Sequence, residues 1–191
     1  MKLNKLINPF AYFSEKKLLL TGLIFFLLAG AVSYLSGVAN TGVFKINWVK
    51  ISLPENYGVL ATDIICPAVL LFVTGKFINN KTRFIDVLST TLVARIPCYF
   101  CIVLSGMSFM KNLNSLIKAN QEMALANTKA MLMFSLLGFV ILLFLVWSVI
   151  WFVNGFKTSV HASKWQHYVL FAIALIFSDI FSRLINYHLF K

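Results

Sequence analysis

The sequence predicts an all-α integral membrane protein: a bundle of five transmembrane helices with a short basic cytosolic N-terminus. Three observations carry that prediction. The first is composition. Of 191 residues, 60% are hydrophobic and only 12% charged, with a mean hydropathy of +0.84. Soluble domains carry roughly 25% charge, and a chain this apolar lacks the polar surface to cover a core. The second is run length: five apolar runs approach or exceed the roughly 20 residues that cross a bilayer. The third is charge placement. The formal net charge of +11 comes from basic residues that punctuate the apolar runs, as they do in loops facing anionic headgroups. No basic-aromatic patch stands outside those runs, which argues against nucleic acid as a partner. The partner implied is the lipid bilayer, with membrane-protein partners or a homo-oligomer left open.

The elements follow in chain order as one domain over 1–191. Lys2, Lys5, Lys16 and Lys17 precede the run "LLLTGLIFFLLAGAVSYLSGV", which exceeds the apolar core of a cleaved signal peptide. An uncleaved signal-anchor helix over 18–38 is the better reading. Before it, "INPFAYF" reads as a turn followed by aromatics, an interfacial foot. The second span is predicted over 57–78, the third over 87–109, the fourth over 131–153 and the fifth over 168–187. Backbone groups in such runs must pair within their own segment, so each run is a helix. Between spans one and two, Phe44, Ile46 and Trp48 alternate with polar residues before the phase slips to Val49, Ile51 and Leu53. That pattern predicts a short bulged strand or an interfacial extended segment. Between spans three and four, Met110, Leu113, Leu116, Ile117 and Met123 share one helical face. A surface helix continuing out of the third span is predicted.

Orientation comes from the basic residues. The N-terminal segment, the connection "GKFINNKTRF" and the 154–167 connection together hold nine Lys or Arg; the opposite side holds seven. The bias is densest beside the first span, which predicts a cytoplasmic N-terminus and an outside C-terminus, in a bacterial inner membrane. Tyr34, Trp48, Tyr57 and Tyr187 fall near the outer edge. Phe10, Tyr12, Phe13, Trp151, Trp165 and Tyr168 fall near the inner one, as an interfacial belt requires.

Few residues carry reaction chemistry. Cys98 and Cys101 share a helix face and would suit a membrane thiol redox protein. The only other cysteine, Cys66, lies in another apolar run, so no second pair completes a relay. Packing is the simpler role. His161, His167 and His188 lack metal-ligand spacing. No phosphate loop, nucleophile elbow or zinc motif occurs. The reading is non-enzymatic, with no catalytic residue, metal or cofactor predicted.

The ionisable residues inside the runs are more telling, because intramembrane charge costs about 2.5–3.5 kcal/mol per residue and marks function or obligatory pairing. They are Asp63, Arg95, Asp179 and Arg183. Arg95 lies about 12 Å and Asp179 about 16 Å from the inner face by helical rise. Both lean inward, so the sequence predicts an Arg95–Asp179 contact. Asp63 is placed at the height of Arg183, which is also one turn from Asp179. The four form a net-neutral ladder, read either as a staple between spans two, three and five or as a proton or ion path. Pro97 removes the hydrogen bond to the Val93 carbonyl and kinks the third span beside Arg95, freeing carbonyls to which Arg95 could donate.

The topology, the opening "INPFAYF" and the pattern "GKFINNKTRFIDVLSTTLVARIP" resemble the bacterial branch of the Yip family, named for interaction with Ypt/Rab GTPases. The matching residues are Gly75, Phe84, Ala94, Arg95 and Pro97. The resemblance implies an integral membrane protein without catalysis; the family's eukaryotic members act in vesicle trafficking and membrane shaping. Their long cytosolic N-terminal region has no counterpart in the 17 residues before the first run, so GTPase binding does not carry over. The expected function is membrane organisation or protein interaction. The alternatives are a small transporter or channel using the Arg95/Asp179 region, and a thiol redox protein using Cys98 and Cys101.

Overall fold

The computed structural model describes residues 2–49, 51–119 and 128–189. It holds five helices long and apolar enough to cross a membrane, the composition of a multi-pass membrane protein. They are α2 (Glu15–Ser36), α3 (Leu53–Ile78), the pair α4 (Phe84–Ala94) and α5 (Ile96–Ser105), α7 (Thr128–Val160) and α8 (Trp165–Leu189). Each begins or ends a few residues beyond the predicted run, because the caps lie outside the apolar stretch. Ser52 opens α3 in a capping box with Glu55, whose carboxylate accepts from the Ser52 N–H at 2.9 Å. Gly37 closes α2 in the left-handed conformation (φ 62°), and the Val38 N–H returns to the Ser33 carbonyl at 3.2 Å. His161 closes α7 the same way at φ 58°, with the Ala162 N–H on the Lys157 carbonyl. A side chain there is strained where glycine would not be.

The third span is the centre of the molecule. Of its most apolar window 78% is buried, against 11% for the fourth span. It packs on α2, α3 and α7, while α8 packs chiefly against α3. Pro97 does more than kink this span: it divides it into two helices that meet at Arg95. The carbonyl of Ala94 at the break accepts from the Ser148 hydroxyl of α7 at 2.6 Å. The surface helix α6 (Ser108–Ala119) is present, but it does not continue the span; a turn at Gly106 and Met107 separates them. Met123 lies outside the described residues.

The N-terminal foot packs deeper than an interfacial segment. A short helix, α1 (Lys2–Ile7), and a 3-10 turn at Pro9–Ala11 lie against α7. The α1 carbonyls that lack helical partners are taken by side chains of α7. Trp147 and Trp151 donate their indole N–H groups to Leu6, and Asn154 donates to Ile7. Phe10 is buried with Leu18, Val93 and Ile96, so it belongs to the core and not to the aromatic belt. Gly155 makes room for it: a Cβ there would meet Thr90 and the Phe10 ring.

The segment between α2 and α3 departs most from expectation. It forms a hairpin of two-residue strands, β1 (Ala39–Asn40) and β2 (Ile46–Asn47), paired Ala39 with Asn47 and Asn40 with Ile46. Only part of this hairpin lies at the bundle edge. Its base is at the edge, where Trp48 donates to the Ser105 carbonyl at 3.0 Å. Its tip turns into the bundle. Gly42 and Val43 are buried, and the Phe44 ring sits 6.3 Å from that of Phe152, about 12 Å along α7 from its end at Val160. The physical reason is the tip sequence "GVF", which is apolar and buries as a wedge among Leu71, Phe152 and Phe171. Non-helical backbone at such a level persists only when protein surrounds it and pairs its polar groups.

Candidate functional site

The predicted ladder resolves into two separate pairs. Arg95 meets Asp63, not Asp179: guanidinium and carboxylate lie 3.3 Å apart, and neither side chain has any exposed surface. Arg183 meets Asp179 at 2.6 Å on the same helix, and not Asp63. Counted from Ser105 at the end of α5 and Leu53 at the start of α3, Arg95 and Asp63 both lie ten residues in, about 15 Å, so they stand at one level. On α8, Ser182 and Asn186 stand at the level of Asp63. Asp179, three residues before Ser182, lies about 4–5 Å nearer the other end of the helix, where it meets the hairpin tip.

The Asp63 environment is built from three spans. Ser182 and Asn186 of α8 both donate to its Oδ1, the latter at 3.2 Å. Arg95 donates to Oδ2 from Nη2 and to the Asp63 backbone carbonyl from Nη1 at 3.0 Å. That carbonyl is free because residue 67, four positions on, is proline and has no N–H to offer. Arg95 was expected to use carbonyls freed by Pro97; it uses one freed by Pro67 on the neighbouring span. Thr62 donates to the Asn186 side-chain oxygen and closes the network. Beside it the Arg95 guanidinium and the Tyr99 hydroxyl face each other, and among the described residues Arg95 Nε and Tyr99 Oη make no hydrogen bond of full geometry. Pro67, Ser182, Asn186 and Thr62 were missed in the sequence. The available signal was the spacing of Ser178, Ser182 and Asn186, four apart on one face of an apolar helix.

The Asp179–Arg183 pair has a different task. Asp179 Oδ1 accepts the Phe44 N–H at 3.2 Å, pinning the hairpin tip to α8. Within the hairpin the Thr41 N–H reaches the Lys45 carbonyl at 2.9 Å, and Asn47 donates to the Thr41 hydroxyl at 2.6 Å. Gly42 sits so close to α8 that a Cβ there would lie 2.8 Å from Arg183 Cγ and 3.0 Å from Asp179 Oδ1.

Two clefts flank this core. One of about 990 Å³ lies at the end that carries the N-terminal foot, between Lys16, Lys81, Arg83 and His161. Arg83 bridges it to Glu15 and bonds Asp86 at 3.1 Å. Those contacts, the Asp86 hydrogen bond first, hold its guanidinium above the ordinary arginine range. The other, of about 600 Å³, lies between the hairpin and α8 and reaches Lys45, Arg183 and Asn186. Neither is lined by Asp63, Arg95 or Cys98.

Cys66, Cys98 and Cys101 are free and buried. The Cys101 thiol lies 3.7 Å from the carbonyls of Pro97 and Ile141, as a packed thiol does. Among the described residues no group of His, Cys, Asp and Glu is placed to hold a metal ion. Comparison with protein-family models, curated proteins and solved structures gave no match.

Proposed function

We propose that the protein is a non-catalytic, multi-pass membrane protein that organises its membrane or partners there, in the manner the Yip resemblance implies. Its N-terminus is cytoplasmic and its C-terminus outside, in a bacterial inner membrane. The supporting observation is the Asp63–Arg95 pair. It is wholly enclosed, bonded twice through one guanidinium, and apart from both clefts. An ion or proton path needs its charges within reach of water or substrate; a staple needs them paired and dry. The transport alternative rested on an Arg95–Asp179 contact that does not form, and Cys98 lines neither of the two clefts described above.

Reconstitution tests this reading. Purified protein in liposomes, followed with an interior pH dye and with potassium or sodium gradients, should show no flux above empty vesicles. Flux through the wild type that disappears in Asp63→Asn would replace the staple with a conduction path.

A further inference from the structure

We infer that the cleft between the re-entrant hairpin and α8 is a binding site for an anionic lipid, with Lys45 holding its head group. The inference rests on the membrane-organising reading above and names the ligand class through which it would act.

Lys45 follows Phe44, whose N–H is held by Asp179, ten residues before the end of α8. That places the Lys45 backbone about 15 Å below the end of the bundle. Lysine is among the costliest residues at such depth, and one kept there faces a cavity or a partner. Among the described residues its ammonium has no hydrogen bond or ion pair, and it lines the 600 Å³ cleft. Arg183 lines the same cleft and is already neutralised by Asp179. Among the described residues the cleft therefore carries one uncompensated positive charge, which a negative head group matches.

The rest of the wall selects the kind of anion. Val49 and Ile51 on the hairpin side and Ile180 and Leu184 on α8 make a mostly apolar lining. Ile180 and Leu184 are also about half exposed on the outer face of α8. A small hydrated anion gains nothing from those surfaces. An alkyl chain lies along them while its carboxylate or phosphate meets Lys45 in a charge-assisted contact. Carboxylate and phosphodiester heads share this chemistry, so a fatty acid and an acidic phospholipid both qualify.

Binding to the detergent-purified chain, by thermal shift and by native mass spectrometry, tests the site. Oleate should raise the melting temperature saturably and bind about tenfold tighter than oleyl alcohol, a difference one charge-assisted contact supplies. Phosphatidylglycerol should likewise be preferred to phosphatidylcholine. Preference within either pair supports the site, and equal binding within both overturns it. Displacement of oleate by acetate would assign the cleft to a soluble anion and also overturn it. Lys45→Gln should lose about tenfold in affinity for the preferred lipid, while Lys45→Arg and Lys81→Gln, in the cleft at the other end of the bundle, keep it. Leu184→Trp, which fills the tail groove from α8 without touching the hairpin, should weaken binding as well. Unchanged affinity in both Lys45→Gln and Leu184→Trp would remove the proposal. Binding and flux are separate readouts, so loss of this site leaves the non-conducting scaffold standing.

Discussion

Asp63 shows how much of the molecule rests on single atoms. Its carboxylate and its own carbonyl are both held by Arg95, and the carbonyl is available only because Pro67 lacks an N–H. Truncating either partner strands a buried charge, so Asp63→Ala and Arg95→Ala should each destabilise the protein by about 3–5 kcal/mol. The double variant should cost much less than the sum, and a double-mutant cycle in detergent measures the difference. Coupling near zero would show that the pair contributes nothing. Pro67→Ala tests the carbonyl separately. It returns an N–H to compete for the Asp63 oxygen, and the Asp63–Arg95 coupling should fall by about 1 kcal/mol, the net worth of one hydrogen bond.

Among the elements, the hairpin is the one that turns an ordinary helical bundle into one with a recess. Its tip is buried by Gly42, Val43 and Phe44 and pinned by Asp179, while Lys45 faces the cleft. Cysteine scanning reads this directly, because Cys66, Cys98 and Cys101 are buried and can be replaced beforehand. Val43→Cys should resist a membrane-impermeant maleimide, and Lys45→Cys should react through the cleft. Equal labelling at both positions would place the hairpin on the surface. Gly42→Leu should displace the tip from α8 and lower stability by about 1–3 kcal/mol, the cost of overpacking, measured by the midpoint of thermal unfolding. The divided third span belongs at this scale too. Its Ala94 carbonyl is satisfied by Ser148, so Ser148→Ala should cost about 1–3 kcal/mol by leaving that oxygen buried and unpaired.

For the whole molecule, an odd number of long helices puts Glu15, at the start of the first, and Leu189, at the end of the fifth, at opposite ends of the bundle. A cytoplasm-active reporter should work when fused before Met1, and a periplasm-active one after Lys191; both ends reporting from one side would remove the five-span arrangement. The number and order of the long apolar helices were legible in the sequence, because each apolar run is long enough to cross a bilayer and must satisfy its own backbone. A bend at Pro97 was equally legible, since proline's missing N–H is a local fact, but its widening into a division at Arg95 was not. Asp63, Arg95, Asp179 and Arg183 were all identified as residues that need partners, since charge in an apolar run always does. Who pairs with whom was decided by the tertiary structure. Rise per residue gives height only to within a turn, and within that turn packing set Ser182 and Asn186, not Asp179, beside Asp63. The hairpin's inward course was decided in the same way: alternation in "FKINW" marks a strand, yet whether that strand lies on the bundle or enters it depends on the space Phe152 and Leu71 leave beside α8. Sequence by itself determined which residues could not face lipid alone; only packing determined which neighbour each one found.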